Sequence, residues 1–483
     1  MSATSSPVAA PGRVLSTLNP DGSRRWIRPR PSPGAFWRAR RAAAYLLMAV
    51  FFLIPYLDVG GRPLILLNLP RREFTLFGTT FLSTDGVLFM LLFVSCVIAI
   101  LAFTALYGRV WCGWACPQTV YMEFLFRPLE RLLEGGRTGS MMLDARRGLH
   151  GRRLAKHALC LVLSLLLAHV FLAYFVPVEE LATWVRRSPV EHPISFLVML
   201  GTTAMIFLDF AWFREQTCLV ACPYGRLQSV LLDRRSLIVG YDARRGEPRM
   251  KGKKQRPAHA GDCVDCGLCV MTCPTGIDIR EGLQMECIHC TQCMDACDAV
   301  MDKVGRPRGL IRYSSRDGFD GKRPRVLRPR VVLYPLALAA GLGVLGFNLG
   351  TRAEADVTIL RGLGAPYSLE PDGSVVNQIR VKVMNRGRRE RRYRIALEGV
   401  PGARLVAPIN PLPVAAGRSA TTSVFVVLPQ GGFPGGQRPV TFRLSDGQGF
   451  EGTFPYGLVG PEREERHDEE HGGRPDAHDG GRR

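Results

Sequence analysis

The last 186 residues contain no cysteine. Whatever fold they take, no disulfide or thiolate-bound metal holds it. All fourteen cysteines lie between Cys96 and Cys297. Thiols gathered at short spacings point to metal ligation in a reducing compartment and away from a disulfide framework. Acidic charge is also scarce, with 42 Asp plus Glu against 63 Lys plus Arg and a formal charge of +21. No aromatic or groove-reading motif accompanies that charge, so a nucleic-acid partner is not expected. A secretory signal is not expected either. Forty-one polar, Arg- and Pro-rich residues precede the first apolar run, and no convincing small-residue cleavage site follows it. Residues 1–41 read as a mostly disordered basic arm.

What is present is a set of long apolar runs. A helix needs roughly 20 apolar residues to cross a bilayer core. Five segments meet or approach that length: Ala42–Leu57, Gly86–Tyr107, Ala158–Val178, Pro193–Phe213 and Val331–Thr351. The N-terminal arm holds eight arginines, Gly108–His157 holds nine Lys or Arg, and Arg214–Arg330 holds twenty-two. The loops Asp58–Asp85 and Pro177–His192 hold three and two. Cytoplasmic loops carry the excess of positive charge. The N-terminus and residues 214–330 are therefore expected inside, and with five spans the C-terminal part outside. The basic stretches Arg244–Arg256 and Lys322–Arg330 read as lipid-facing or topology-setting.

Residues 352–460 change character. Apolar positions alternate at Ile379, Val381 and Val383, at Tyr393, Ile395 and Leu397, in Val424–Leu428, and at Val440, Phe442 and Leu444. Gly, Pro, Asn and Asp separate these runs at the spacing of a small antiparallel sandwich of the immunoglobulin type. The tail 461–483 is charged and lacks apolar residues, which predicts disorder. Its His467, His471 and His478 have a solvated tail as their plainer reading. The architecture is thus a multi-domain membrane protein: a five-helix transmembrane bundle, an α+β insert within 214–330, and an all-β C-terminal sandwich.

The strongest chemical signal is Cys263, Cys266, Cys269, Cys273, followed by Pro274, and then Cys287, Cys290, Cys293, Cys297. Both runs have the spacing C-x2-C-x2-C-x3-C. Three thiolates wrap three corners of a cubane, and the fourth Cys of each run serves the other cluster. The expected ligand sets are Cys263, Cys266, Cys269 with Cys297, and Cys287, Cys290, Cys293 with Cys273. Each set would hold one [4Fe–4S] cluster in a ferredoxin-like domain of about residues 258–315. Zinc is the alternative, but its knuckles more often pair across a longer gap.

Two further motifs, Cys112–Pro117 and Cys218–Pro223, both read C-x3-C-P and begin just past the second and fourth apolar runs. They form an internal repeat. If helical, each pair shares one face. Soft thiolates suit Cu(I), zinc or iron–sulfur centres, and a thiol pair can also cycle through a disulfide. The plainer reading is small buried cysteines beneath a Pro turn. Cys96 and Cys160 read as small hydrophobes within spans. His169 and Asp209 are polar groups inside spans, and His289 lies between two ligand cysteines. Gln118–Leu133 reads as an amphipathic helix on the membrane surface.

The stretch Gly261–Ser315, both C-x3-C-P segments, the five spans and the outside sandwich together closely resemble the CcoG family, also called FixG or RdxA. The resemblance covers most of residues 40 to 460. These are accessory proteins of cbb3-type cytochrome c oxidase. It implies an oxidoreductase that reduces Cu(II) to Cu(I) for the oxidase's copper centre. The eight ferredoxin cysteines would hold clusters, and Cys112, Cys116, Cys218 and Cys222 would bind or reduce copper. Implied partners are the lipid bilayer, oxidase subunits or copper-delivery proteins, and an unidentified electron donor. Two alternatives stand beside it: a quinol-linked electron-transfer subunit for a partner reductase, and a non-catalytic assembly scaffold.

Overall fold

The computed structural model describes residues 16–461 apart from 20, 71, 83–84, 146–149, 252–256, 258, 324–326 and 388. The tail histidines lie outside the described residues. The chain divides at Gly350–Thr351 into two units.

Among the described residues of the first unit, five helices are long and apolar enough to cross a membrane: Ala35–Tyr56, Gly86–Tyr107, Gly151–Leu172, Pro193–Phe213 and Pro329–Gly350. Most of their surface faces outward and is apolar, with Leu46, Phe93, Val162, Leu197 and Phe347 exposed. Such continuous apolar surface fits lipid. The first and third helices start seven residues earlier than the apolar pattern suggests. Their first turns carry Arg38, Arg40, Arg41 and Arg152, Arg153, Lys156. These charges are tolerated where they find partners: Lys156 reaches Glu134 at 2.7 Å and Glu130 at 3.7 Å.

Between the first two spans the chain forms a small sheet of β1 (Ile65–Asn68), β2 (Glu73–Leu76) and β3 (Thr79–Leu82), in the order β1-β2-β3. Sequence reading left this segment as a plain loop. Its strands are only four residues each, too short for a clear alternation.

The expected disordered arm needs correction. Residues 1–15 lie outside the described residues, but Ser16–Gly34 runs as a strap over the cysteine-rich insert. Ser16 Oγ donates to Thr275 O at 2.7 Å, and Arg30 N to Met271 O at 2.9 Å. Asp295 then accepts from the first N–H groups of the first span, Phe36 at 3.2 Å and Trp37 at 2.7 Å. An acid at a helix start is favourable because those N–H groups lack intrahelical partners. The strap is polar in composition because it satisfies backbone groups of its neighbour, which a hydrophobicity pattern does not reveal.

The insert is framed by β4 (Ile238–Tyr241) and β5 (Ile311–Ser314), paired antiparallel. Short helices Leu268–Met271 and Gln292–Val304 follow the two cysteine loops. Segment 117–134 is not a surface helix. It runs as Pro117–Tyr121, a wide π turn over Met122–Phe126, and Arg127–Glu134, with Val120, Met122, Phe124, Glu123 and Arg127 all buried. Its charged face turns inward onto ion pairs, so amphipathic periodicity alone misplaced it. Two of the basic stretches' arginines are likewise structural: Arg245 pairs with Asp262 at 2.5 Å, and Arg328 with Asp233 at 2.5 Å.

Among the described residues the second unit is a sandwich of nine strands: β6 (Ala355–Arg361), β7 (Ser368–Leu369), β8 (Ser374–Asn385), β9 (Arg391–Glu398), β10 (Arg404–Val406), β11 (Leu412–Val414), β12 (Ser419–Pro429), β13 (Gln437–Ser445) and β14 (Glu451–Val459). One sheet has the order β10-β12-β8-β6, with β7 beside β8, and the other β11-β9-β13-β14. Alternate residues of β8, Val375, Ile379, Val381 and Val383, are fully buried against Tyr393, Ile395, Phe442 and Leu444. This is the period-two inward pattern of a strand with one core face.

Candidate metal and redox centre

The eight ferredoxin cysteines line two cavities. Cys263, Cys266, Cys269 and Cys297 face the first, with Val264, Leu268, Val300, Met301, Leu310 and Ile311. Cys273, Cys287, Cys290 and Cys293 face the second, with Val239, Ile277, Ile279 and Ile288, and Cys269 borders it too. The fourth cysteine of each run thus sits at the other run's cavity. Four thiols in a mostly apolar cavity, with Tyr241 and Arg280 also lining the first and Thr275, His289 and Thr291 the second, fit a [4Fe–4S] cluster. Among the described residues no three His, Cys, Asp or Glu side chains stand at single-ion spacing. A cubane spreads its ligands wider than one ion does.

The two loops share a backbone. Asp265 and His289, the third residues of their runs, both have positive φ (48° and 53°), and so do the fifth, Gly267 and Thr291 (65° and 63°). A left-handed β-branched residue is costly, roughly 1–3 kcal/mol. Thr291 holds it with its Oγ1 donating to Cys290 O at 2.6 Å. The turns point the thiols inward. Burial pushes Cys269, Cys287 and Cys297 up to about 12, and raises Cys290 and Cys293 as well. Without a ligated cation these thiols keep their protons at neutral pH. His289 is buried, and burial followed by the Arg109 charge lowers it to about 3, so it is neutral. Its Nδ1 accepts from Arg109 N at 3.3 Å, which places it beside the second cavity as a support, not on the surface.

The C-x3-C-P motifs are not single helices. Cys112 lies on the turn Val110–Trp114 and Cys218 on a π turn, Thr217–Ala221. Cys116 and Cys222 are extended residues capping helices that begin at Pro117 and Pro223. Proline disfavours helical geometry in the residue before it, so each motif breaks at its second cysteine. The repeat is nonetheless real, because both halves break identically. It is also cross-linked. Gln118 Nε2 donates to Asp209 Oδ1 at 3.2 Å and Arg214 O at 2.9 Å. Reciprocally, Gln228 accepts from the Cys112 thiol at 2.9 Å and donates to Thr104 Oγ1 at 3.1 Å. The four thiols lie near enough for the charge of Cys116 and Cys222 to act on Cys112, and that of all three on Cys218, but among the described residues no three of them stand at single-ion spacing. Burial first, then these neighbours, push Cys112 up to about 11 and Cys218 to about 12.

The thiol layer abuts the second cavity. Cys112, Ile288 and Cys290 form one small buried group. Gly113 makes the contact possible: a Cβ there would lie 2.6 Å from Ile288 O and 2.9 Å from Cys290 N and Cα. Below it, a buried charge network locks the parts together. Arg127 pairs with Glu123 and, at 3.2 Å, with Glu215. Arg214 pairs with Glu130 at 2.9 Å. Gln292 Nε2 donates to Glu123 Oε2 at 3.0 Å, joining the insert to segment 117–134. Burial opposes ionisation of Glu130, but Arg214 and Lys156 hold it down at about 2.

Sequence reasoning missed Arg40, Arg109, Gln228 and this network. The signals were available: Glu123 and Arg127 at helical i,i+4 spacing, and Arg40 close against an apolar run. The remaining sequence candidates lie apart. Cys96 is exposed on the second span and Cys160 packs beside Tyr121 and Leu167. His169 is exposed, its ring Nδ1 2.9 Å from Leu165 O.

Comparison with known proteins places iron–sulfur profiles over both the cysteine-rich insert and the segment that carries Cys112 and Cys116. A family profile described as 4Fe-4S dicluster domain matches residues 213–316, and one described as 4Fe-4S binding domain matches 89–135. A profile described as the Ig-like fold at the C-terminal of FixG matches 345–461. Protein RdxA of Cereibacter sphaeroides is 34% identical over 450 residues, 88% of this chain and 94% of that one. Nitrogen fixation protein FixG of Rhizobium meliloti is 32% identical over 467 residues, 85% of this chain and 88% of that one. Protein RdxB of Cereibacter sphaeroides is 33% identical over 414 residues, 80% of this chain and 86% of that one.

Proposed function

The chain belongs to the RdxA/FixG family of membrane iron–sulfur electron-transfer proteins, and from that premise we propose that it reduces Cu(II) to Cu(I) for the copper centre of a cbb3-type cytochrome c oxidase. The observation that carries the proposal is the burial of Cys112 in one group with Cys290, a ligand candidate of the second cluster. When bound, the two [4Fe–4S] clusters supply one-electron transfer. Cys112, Cys116, Cys218 and Cys222 hold the copper substrate. The buried Cys112 and the half-buried Cys116, Cys218 and Cys222 favour the soft, weakly hydrated Cu(I) over Cu(II), because thiolate sulfur is a soft ligand. Gln228 orients Cys112, and the Arg127–Glu123–Glu215 network keeps the thiol layer fixed against the insert.

In this reading the insert faces the cytoplasm and the sandwich lies in the periplasm, where it docks oxidase subunits or copper-delivery proteins. The electron donor is a separate reductant on the insert's side. The rival relay to a partner reductase would be favoured by a haem-ligand pair of histidines on facing spans; among the described residues, histidines within spans occur only on the third, at His157 and His169.

Copper-edge X-ray absorption on the anaerobically loaded protein tests the ligand assignment. Cu(I) with sulfur neighbours is expected, lost when Cys112, Cys116, Cys218 and Cys222 are changed to alanine. An unchanged spectrum in that variant overturns it.

A further inference from the structure

The two cluster cavities differ in the charges around them. Beside the first, Arg280 is outnumbered: Asp278 and Asp265 each pair with it at 2.6 Å. Asp298, adjacent to Cys297, adds another negative charge and accepts from Gly309 N at 2.9 Å. Beside the second lie two buried guanidiniums. Arg40 is fully buried, and its Nε donates to Gly113 O at 2.9 Å. Among the described residues its Nη1 and Nη2 have no hydrogen-bond partner. The Phe124 ring lies 5.4 Å from its Cζ. Because Gly113 packs directly on the Cys290 backbone, one peptide separates this guanidinium from Cys290. Arg109 is also buried. It donates Nη1 to Met285 O, acts on the Cys112 side chain, and has no carboxylate partner among the described residues. Asp295 is the acid whose charge reaches Arg40, and it is already engaged by two N–H groups of the first span.

A buried, unpartnered cation is costly unless an anion lies beside it. A thiolate-ligated [4Fe–4S] cluster is such an anion, and reduction makes it more negative. Cluster potentials follow local charge, hydrogen bonds to sulfur and solvent exposure. We propose that Arg40, supported by Arg109, places the reduction potential of the second cluster above that of the first. The electron then resides preferentially on the cluster that adjoins the C-x3-C-P thiols. This rests on the two-cluster assignment and is independent of copper, which is absent from its test.

The test is a dye-mediated redox titration of the full chain in detergent, followed by electron paramagnetic resonance. Cys266→Ser and Cys287→Ser identify which signal belongs to which cluster. In the unmodified protein the second cluster should reduce first. Arg40→Gln should lower its midpoint by the equivalent of at least tenfold in the reduction equilibrium, about 59 mV for a one-electron couple. The first cluster should stay put, and Arg40→Lys should restore most of the shift. An unmodified protein whose first cluster reduces first overturns the proposal, even if Arg40→Gln fails to assemble. So does an Arg40→Gln protein with both clusters present and both midpoints unmoved, or both moved equally.

Discussion

Placing a methyl group on Gly113 should separate the thiol layer from the second cluster's loop. The ideal Cβ would stand 2.6 Å from Ile288 O and 2.9 Å from Cys290 N and Cα, where ordinary contact begins at 3.4 Å. The backbone must therefore yield by about 0.5 to 0.8 Å. All three neighbours are main-chain atoms of a ligand loop, so no side chain can swing away. Overpacking of this kind costs about 1–3 kcal/mol, which shifts the docked equilibrium about 5- to 150-fold. Hydrogen exchange at residues 288–291 reads the opening, and the rate of Cu(I) formation under a Cu(I)-specific chelator reads its consequence. Gly113→Ala should quicken exchange there and slow Cu(I) formation by a similar factor with iron content intact. Gly201→Ala, whose Cβ meets nothing within 4 Å, is the neutral control. Unchanged exchange and unchanged rate in Gly113→Ala would refute direct contact as the basis of coupling.

The crossed ligand sets make a clean pair of variants. Cys297→Ser should disturb only the cluster held by Cys263, Cys266 and Cys269, and Cys273→Ser only the other, each read by its own resonance signal. The reverse pattern would contradict the cavity assignments. Cu(I) affinity should rise with pH. Cys112 and Cys218, at about 11 and about 12, carry protons at neutral pH that copper must displace, so affinity climbs roughly tenfold per unit for each thiol ionised. Titration against a competing chelator from about pH 6 to 8 checks it, and a flat profile counts against thiol ligation. In the sandwich, buried Asn385 donates to Arg389 O at 2.7 Å and Val414 O at 3.0 Å, and accepts from Gly387 N at 2.9 Å. Asn385→Ala should destabilise that unit by about 1–3 kcal/mol by leaving these groups unpaired, seen as a lowered calorimetric midpoint.

Hydrophobic length and cysteine spacing made much of this protein legible in sequence. Uncharged runs such as Gly86–Tyr107 have one stable setting, and the spacing of Cys263 through Cys297 fits few centres. The alternation through Ile379–Val383 and Val440–Leu444 marked the sandwich, because one buried face imposes period two. What escaped was polar. The Ser16–Gly34 strap gains its order from hydrogen bonds to Thr275, Met271 and Thr272, contacts that no local pattern encodes. Segment 117–134 resembled a surface helix because its Glu and Arg alternate with apolar residues. The partners that bury them, Glu215 and Gln292, lie far along the chain. The two C-x3-C-P motifs were legible as an internal repeat whose four thiols were expected to meet at the membrane surface. The glutamines that tie them together, Gln118 and Gln228, have no distinguishing sequence context.

Anaerobic copper reduction is the measurement to make first. The purified protein is reduced, freed of reductant, and given Cu(II) with a Cu(I)-specific chelator, beside a variant with Cys112, Cys116, Cys218 and Cys222 changed to alanine and its iron content verified. Cluster reoxidation that tracks Cu(I) formation, and fails only in the variant, is the expected result. Equal Cu(I) formation by both proteins would contradict a role for the C-x3-C-P thiols in copper reduction.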